Sequence, residues 1–151
     1  MLSMKAKYAL RAMMVLARNE KRLMQTKTIA QEADVPHKFL EVILSDLRNH
    51  GLVESKRGIM GGYNLSKPAD VITIGDVIRI MDGPLAPIRC ASVTAYQPCD
   101  DCPDVAKCAI RSVMKDVRIA ISGVLDQRTI KDMLSLPKGA ATLLDHDILE
   151  P

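Results

Sequence analysis

An apolar stripe that gives way at once to a glycine-rich turn constrains this chain more than any other feature. In residues 36–49, Phe39, Leu40, Ile43, Leu44 and Leu47 recur at helical spacing, while His37, Lys38, Glu41, Ser45 and Arg48 fall on the opposite face. Pro36 suits the first turn of such a helix, because its missing N–H would find no partner there in any case. Asn49-His50-Gly51 ends it, with Gly51 available for a left-handed cap. Two short segments able to form strands come next, 52–56 and 63–66. Between them Arg57-Gly58-Ile59-Met60-Gly61-Gly62 has the composition of a hairpin turn.

Two helices precede this unit. Residues 3–19 place Ala9, Ala12, Met13, Leu16 and Ala17 on one face, with Ser3 as a cap. Residues 26–34 form a shorter helix with a small apolar face of Ile29, Ala30 and Ala33; Thr28 and Gln31 have the spacing of a capping box, although Gln25 or Thr26 could equally start it. The second and third helices, joined by a tight turn, have the helix-turn-helix pattern. That pattern alone is weak, since any helical bundle contains such pairs. A hairpin directly after it reads as a wing, whose glycines (Gly58 among them) let the backbone approach a phosphate or enter a minor groove and whose Arg57 supplies charge there. The competing reading is a plain surface hairpin.

Beyond the hairpin, Thr73 and Asp76 resemble a capping box with Asp in the Glu position, opening a short amphipathic helix through Ile74, Val77, Ile78 and Met81. An irregular, proline-containing stretch follows. From about Pro103 a long helix is expected, since Pro103 and Asp104 suit a helix start and Val105, Ala109, Val113, Val117, Ala120, Ile121 and Val124 form a stripe. So long an apolar face needs a partner, and a second copy of the same helix is expected to supply it in a homodimer; folding back on its own domain is the alternative. Thr129 to Asp132 opens a last short helix. The fold class is therefore mainly α with a small β-hairpin wing: a winged helix-turn-helix domain over 1–83, a cysteine-bearing sensor loop over 84–102, a dimerisation helix and short helix over 103–136, and a tail over 137–151 that carries no strong signal and is open to partial disorder.

Charge divides along the same lines. Residues 1–57 carry 11 Lys and Arg against 6 Asp and Glu, and residues 58–151 carry 10 against 12. A basic front half suits a polyanion such as double-stranded DNA, although that excess alone is ordinary surface charge. No apolar run is long enough for a membrane span, and the first residues lack the apolar stretch of a signal peptide, so a cytoplasmic location without membrane contact is expected. An enzyme is not expected. His37, His50 and His146 have no carboxylate or nucleophile partner at motif spacing, no phosphate-binding glycine motif occurs, and no small-molecule substrate is implied. A protein-only interaction module would need a neutral recognition face, whereas His37, Lys38 and Arg48 project from this one.

All four cysteines, Cys90, Cys99, Cys102 and Cys108, lie within one short stretch. Such clustering argues against unrelated core residues, and a reducing compartment argues against a disulfide scaffold. Three chemistries remain open. An iron–sulfur cluster, [2Fe–2S] or [4Fe–4S], is commonly held by four thiolates. A structural zinc takes the same ligand set. A metal-free switch would use Cys99 or Cys102 in a reversible disulfide.

K-Y-A-L-R-A in the first helix, F-L-E-V-I-L-S-D-L-R-N-H-G-L-V in the third, R-G-I-M-G-G-Y in the hairpin and the I-G-D-V-I that follows resemble the IscR/NsrR-type family of bacterial winged-helix iron–sulfur transcription regulators, from Met1 to about Leu134. The resemblance implies a dimeric DNA-binding regulator with a long dimerisation helix, many of whose relatives hold an iron–sulfur cluster in the loop before that helix and respond to redox state, iron supply or nitric oxide. By position, Glu41 resembles a base-reading residue and Arg57 the arginine that the wing places in a groove; His37, Lys38 and Arg48 are added from the helix face alone. Cys90, Cys102 and Cys108 match the family's usual three cysteines, and Cys99 is extra. Where some relatives use a histidine three residues past the last cysteine this chain has Arg111, and where others use an acidic side chain on the first helix it has Lys7-Tyr8. Cys99 would therefore complete an all-cysteine set.

Overall fold

The computed structural model describes residues 2–136; the tail expected over 137–151 lies outside them. The chain runs α1 (Met4–Arg18), α2 (Thr26–Ala33), α3 (His37–Asn49), β1 (Val53–Lys56), β2 (Gly62–Leu65), α4 (Ile74–Asp82), α5 (Ala109–Leu125) and α6 (Ile130–Ser135), with 3-10 turns at Arg89–Ala91 and Val105–Lys107. β1 and β2 pair antiparallel, Val53 opposite Leu65 and Lys56 opposite Gly62. This is the mainly helical fold with a hairpin wing that the patterning implies.

α1 is the central post. Ser3 caps it by accepting the Ala6 N–H at 3.0 Å, and the face from Ala6 to Ala17 is buried against α2, α3, α4 and α6. The core is aliphatic: Met13, Leu16, Ile29, Leu40, Ile43, Leu44, Leu47, Ile72, Val77 and Ile130 are almost wholly enclosed. Alanine on the facing surfaces of α1 and α2 lets these helices approach closely, so the bulk comes from branched side chains. Thr73 and Asp76 form the expected capping box, each side chain bonded to the other's backbone N–H at 3.0 Å. Gly51 takes φ +76°, the left-handed conformation that a side chain would resist, and so ends α3.

Several local expectations are corrected. Phe39 does not join the α3 stripe in the core: it is 58 % exposed and its ring lies 6.1 Å from that of Tyr8. Helical spacing defines the stripe but not its edge, and α3 turns Leu40, Ile43, Leu44 and Leu47 inward instead. α2 starts after Gln25, with no side-chain cap, so Thr28 and Gln31 form no capping box. Pro36 precedes α3 in an extended conformation instead of opening its first turn. The long helix begins at Ala109, not near Pro103. Asp104 caps only the short turn Val105–Lys107, accepting the Ala106 N–H at 2.9 Å. Cys108 is then extended, and its sulfur accepts the Arg111 N–H at 3.4 Å to start α5 afresh.

No residue of α5 is buried, and Ile110, Val113, Val117, Ile119 and Val124 are all exposed. The chain then returns to its origin. The Ile74 N–H donates to Arg128 O at 2.8 Å, the Ile130 N–H to Ile72 O at 2.9 Å and the Lys131 N–H to Ala69 O at 3.2 Å. Thr129 and Asp132 form a second capping box, and α6 packs on α1 with Ile130 enclosed in the core. Among the described residues no helix is long and apolar enough to cross a membrane.

Candidate functional site

The turn between α2 and α3 is held from α1. Asp34 adopts φ 52°, and its N–H reaches Ala30 O and Gln31 O. Arg11 donates to Asp34 O at 3.1 Å, and Lys5 pairs with Asp46 of α3 at 2.6 Å. These ties fix the direction in which α3 presents its outer face. His37, Lys38, Glu41 and Arg48 are all exposed on that helix. His37 Nδ1 lies 3.7 Å from Glu41 Oε1, one turn on. Arg48, at the far end, donates to Ser55 Oγ of β1 at 3.4 Å and so leans toward the wing. Arg57 and Gly58 are exposed at the head of the hairpin turn. The six expected residues thus form two groups, one at the start of α3 and one on the wing, with Arg48 between them.

The wing is clamped at its root. Tyr63 N–H donates to Met24 O at 2.8 Å, and Met24 N–H to Tyr63 O at 2.9 Å, so the connection between α1 and α2 adds a third short rung to the hairpin. Gly62 is required here, because a Cβ would collide with the Met24 backbone. Gln25 also reaches the turn, donating to Ile59 O at 3.5 Å. Neither Met24 nor Gln25 emerges from sequence reasoning: a single bridge between distant residues leaves no periodic trace.

The cysteine loop lies over the start of α5. Cys90 is buried in the 3-10 turn, Cys102 and Cys108 are half-buried and Cys99 is exposed. Hydrogen bonding to Cys90, then the charge of Cys90, desolvation and the charges of Cys102 and Asp101, push the Cys99 thiol above the ordinary range. Cys102 N–H approaches Cys99 O at 3.4 Å. Arg111 Nε donates to Cys90 O at 2.8 Å, and its guanidinium lies 6.0 Å from the Tyr96 ring centroid, tying the loop to α5. The donor chemistry, four thiols in one loop, suits a thiophilic metal or cluster. All four cysteines are free, the Cys108 sulfur serves as a helix cap, and among the described residues no three His, Cys, Asp or Glu side chains are grouped to hold a metal ion.

Residues 2–135 match the Rrf2 family model, described as an iron-dependent transcriptional regulator. A Rhodobacter capsulatus protein named as an rrf2-like HTH-type transcriptional regulator is 43 % identical over 149 residues, covering 96 % of this chain and 99 % of that protein. Among solved structures, CymR of B. subtilis, titled its global cysteine regulator, aligns with a TM-score of 0.73 at 35 % identity, covering 91 % of this chain and 98 % of CymR. IscR of T. potens aligns with a TM-score of 0.70 at 29 % identity, covering 92 % and 93 %. With the family model matched along nearly all of the described chain and the winged-helix fold shared with these structures, this protein belongs to the Rrf2 family of winged-helix transcription regulators.

Proposed function

We propose that the chain is a cytoplasmic, homodimeric regulator that binds promoter DNA and senses redox state, iron or nitric oxide through an iron–sulfur cluster on Cys90, Cys99, Cys102 and Cys108. The observation that carries this reading is that every cysteine lies in one loop joining the winged unit to α5. A change there bears on both. When bound, the cluster supplies an oxidation-sensitive cross-link among the thiolates. The rest belongs to the chain's own residues. Glu41, with His37 and Lys38, faces base edges from the start of α3, Arg48 and Arg57 meet phosphates, and Gly58 lets the wing backbone approach the duplex. Arg111 holds the Cys90 carbonyl, so a regrouping of thiols acts on the N-terminus of α5. The exposed valines and isoleucines of α5 supply the apolar face on which a second copy packs.

Protein purified without oxygen should be brown, with iron and sulfide in stoichiometric amounts, and should bind operator DNA with an affinity that changes when the cluster is removed. Colourless protein with one zinc per chain, or equal affinity of the loaded and stripped forms, would overturn the reading. A free, exposed Cys99 in the same loop as Cys90 and Cys102 favours a second one, a metal-free thiol pair. Peroxide would then close a disulfide, taking two electrons and two protons from the thiols and releasing two waters. A two-hydrogen mass loss on peptides spanning Cys90 and Cys99, in protein without iron, would distinguish it.

A further inference from the structure

The wing carries one feature that phosphate contact leaves unexplained. Ile59 is 92 % exposed and Met60 88 % exposed at the tip of the hairpin, the most exposed large apolar side chains of the described residues. An unconstrained turn needs no such residues, because burying neither of them contributes to folding and polar residues form turns more readily. Nor is the tip loosely held. Gly61 N–H closes the turn on Gly58 O at 2.9 Å, Gln25 reaches Ile59 O, and the Met24–Tyr63 bridge fixes the root. A Cβ at Gly61 would collide with Lys56 O, so the turn is packed tightly on itself. The apolar pair is thus projected on a stiff support. Exposed Lys56 and Arg57 precede it, separated from it by Gly58.

An apolar point with two cations beside it fits one occupant better than the alternatives. A protein groove of apolar lining would have to accommodate the adjacent positive charge, and a second copy of this chain would meet the same Lys56 and Arg57 in kind. DNA offers phosphates to the cations on either side of a minor groove, and between base pairs it offers an apolar slot. Isoleucine and methionine are among the side chains that open such a slot by partly unstacking a base step. We propose that Ile59 and Met60 form a wedge that enters the minor groove, partly unstacks one step and bends the operator there. The wedge rests on the reading that the protein binds DNA through α3 and the wing. It adds that affinity depends on how easily the step beneath the wing deforms, with flexible pyrimidine–purine steps preferred over stiff A-tracts.

The test starts from a duplex selected from a random pool by the full-length wild-type protein; failure to select any duplex would overturn the DNA-binding reading itself. 2-Aminopurine is then placed in turn at the steps beneath the wing, and the end-to-end distance of the duplex is followed by energy transfer. Wild-type protein should brighten the probe at one step and bend the duplex by about 20–90°. The Ile59→Ser, Met60→Ser double variant, altered only at exposed positions, should keep its melting temperature and oligomeric state, lose the brightening and the bend, and bind about tenfold more weakly. Tight wild-type binding without brightening at any step would overturn the wedge and leave the DNA-binding reading intact. So would a double variant that binds and bends as the wild type does, or one whose only change is in oligomeric state.

Discussion

Arg79 of α4 and Asp126 at the end of α5 meet in a two-point ion pair, with both N–H to O contacts at 2.7 Å. It ties the arm bearing α5 to the winged unit at the point where the arm turns back. Hydrogen bonds from Arg79 hold the Asp126 carboxyl below the ordinary range against a smaller opposing effect of desolvation. A carboxyl lowered in the folded state stabilises the fold above the pKa of the unfolded chain, and that contribution fades as pH falls through the folded-state value. The pair is more than a third exposed, so its worth is limited to about 1 kcal/mol and shrinks with salt. Urea midpoints of wild type and Asp126→Asn should differ at neutral pH and converge at acid pH. A gap that persists unchanged in acid would contradict this. Gly75 lies against both partners, where a Cβ would strike Asp126 and Arg79, so Gly75→Ala should remove the same pH-dependent increment.

Ile130 is wholly enclosed although it follows the arm. Ile130→Ala should therefore destabilise the winged unit itself, by about 2–4 kcal/mol for an enclosed aliphatic side chain. The measure is chemical denaturation read from the tyrosines near α1. A loss confined to α6, with the midpoint of the winged unit unmoved, would show that α6 is only an appendage.

Arg57 and Glu41 should fail in different ways if the wing meets phosphates and α3 meets bases. Arg57→Ala should weaken binding to all duplexes alike and reduce the slope of affinity against salt by about one. Glu41→Ala should leave that slope unchanged and alter which base is preferred at one operator position. Competition titrations over a salt series, run against single-base operator variants, separate these outcomes.

In the proposed all-cysteine set, Cys99 would be the fourth ligand. Cys99→Ser should speed loss of iron to a chelator about tenfold or more, judged by the usual effect of disturbing a metal site. Unaltered iron loss would move the fourth ligand elsewhere and leave Cys90, Cys102 and Cys108 as the thiolate set.

The parts that were legible before the structure are those with a local cause. Capping at Ser3 and Thr73 depends on residues three apart, the inward faces of α1 and α3 on helical period, and the wing on glycine density between two short strands. What escaped depends on contacts between distant segments. Phe39 lies at the margin of a stripe, and only the position of α1 decides that it remains outside. Pro103-Asp104 is a sound start signal, yet a single 3-10 turn consumes it before Cys108 begins the helix again. The Met24–Tyr63 rung and the return of α6 to α1 have no periodic signature. At the cysteines, residue type and spacing identify a common loop, whereas which sulfurs are buried and which exposed depends on how Arg111 ties that loop to α5.

The backbone bonds that join 128–131 to 69–74 give the arm the mechanics of a handle fastened at both ends. A tail held at one end would dissipate a disturbance in its own motion. A handle passes it into the body through two separate attachments, the end of α4 and the bonds beside Ile72 and Ile74. The same closure means that one cut in the exposed loop around Val93 would leave both pieces docked on a single core. The nicked protein should therefore keep its winged unit folded, while the cut parts Cys90 from Cys99, Cys102 and Cys108, which stay joined to α5.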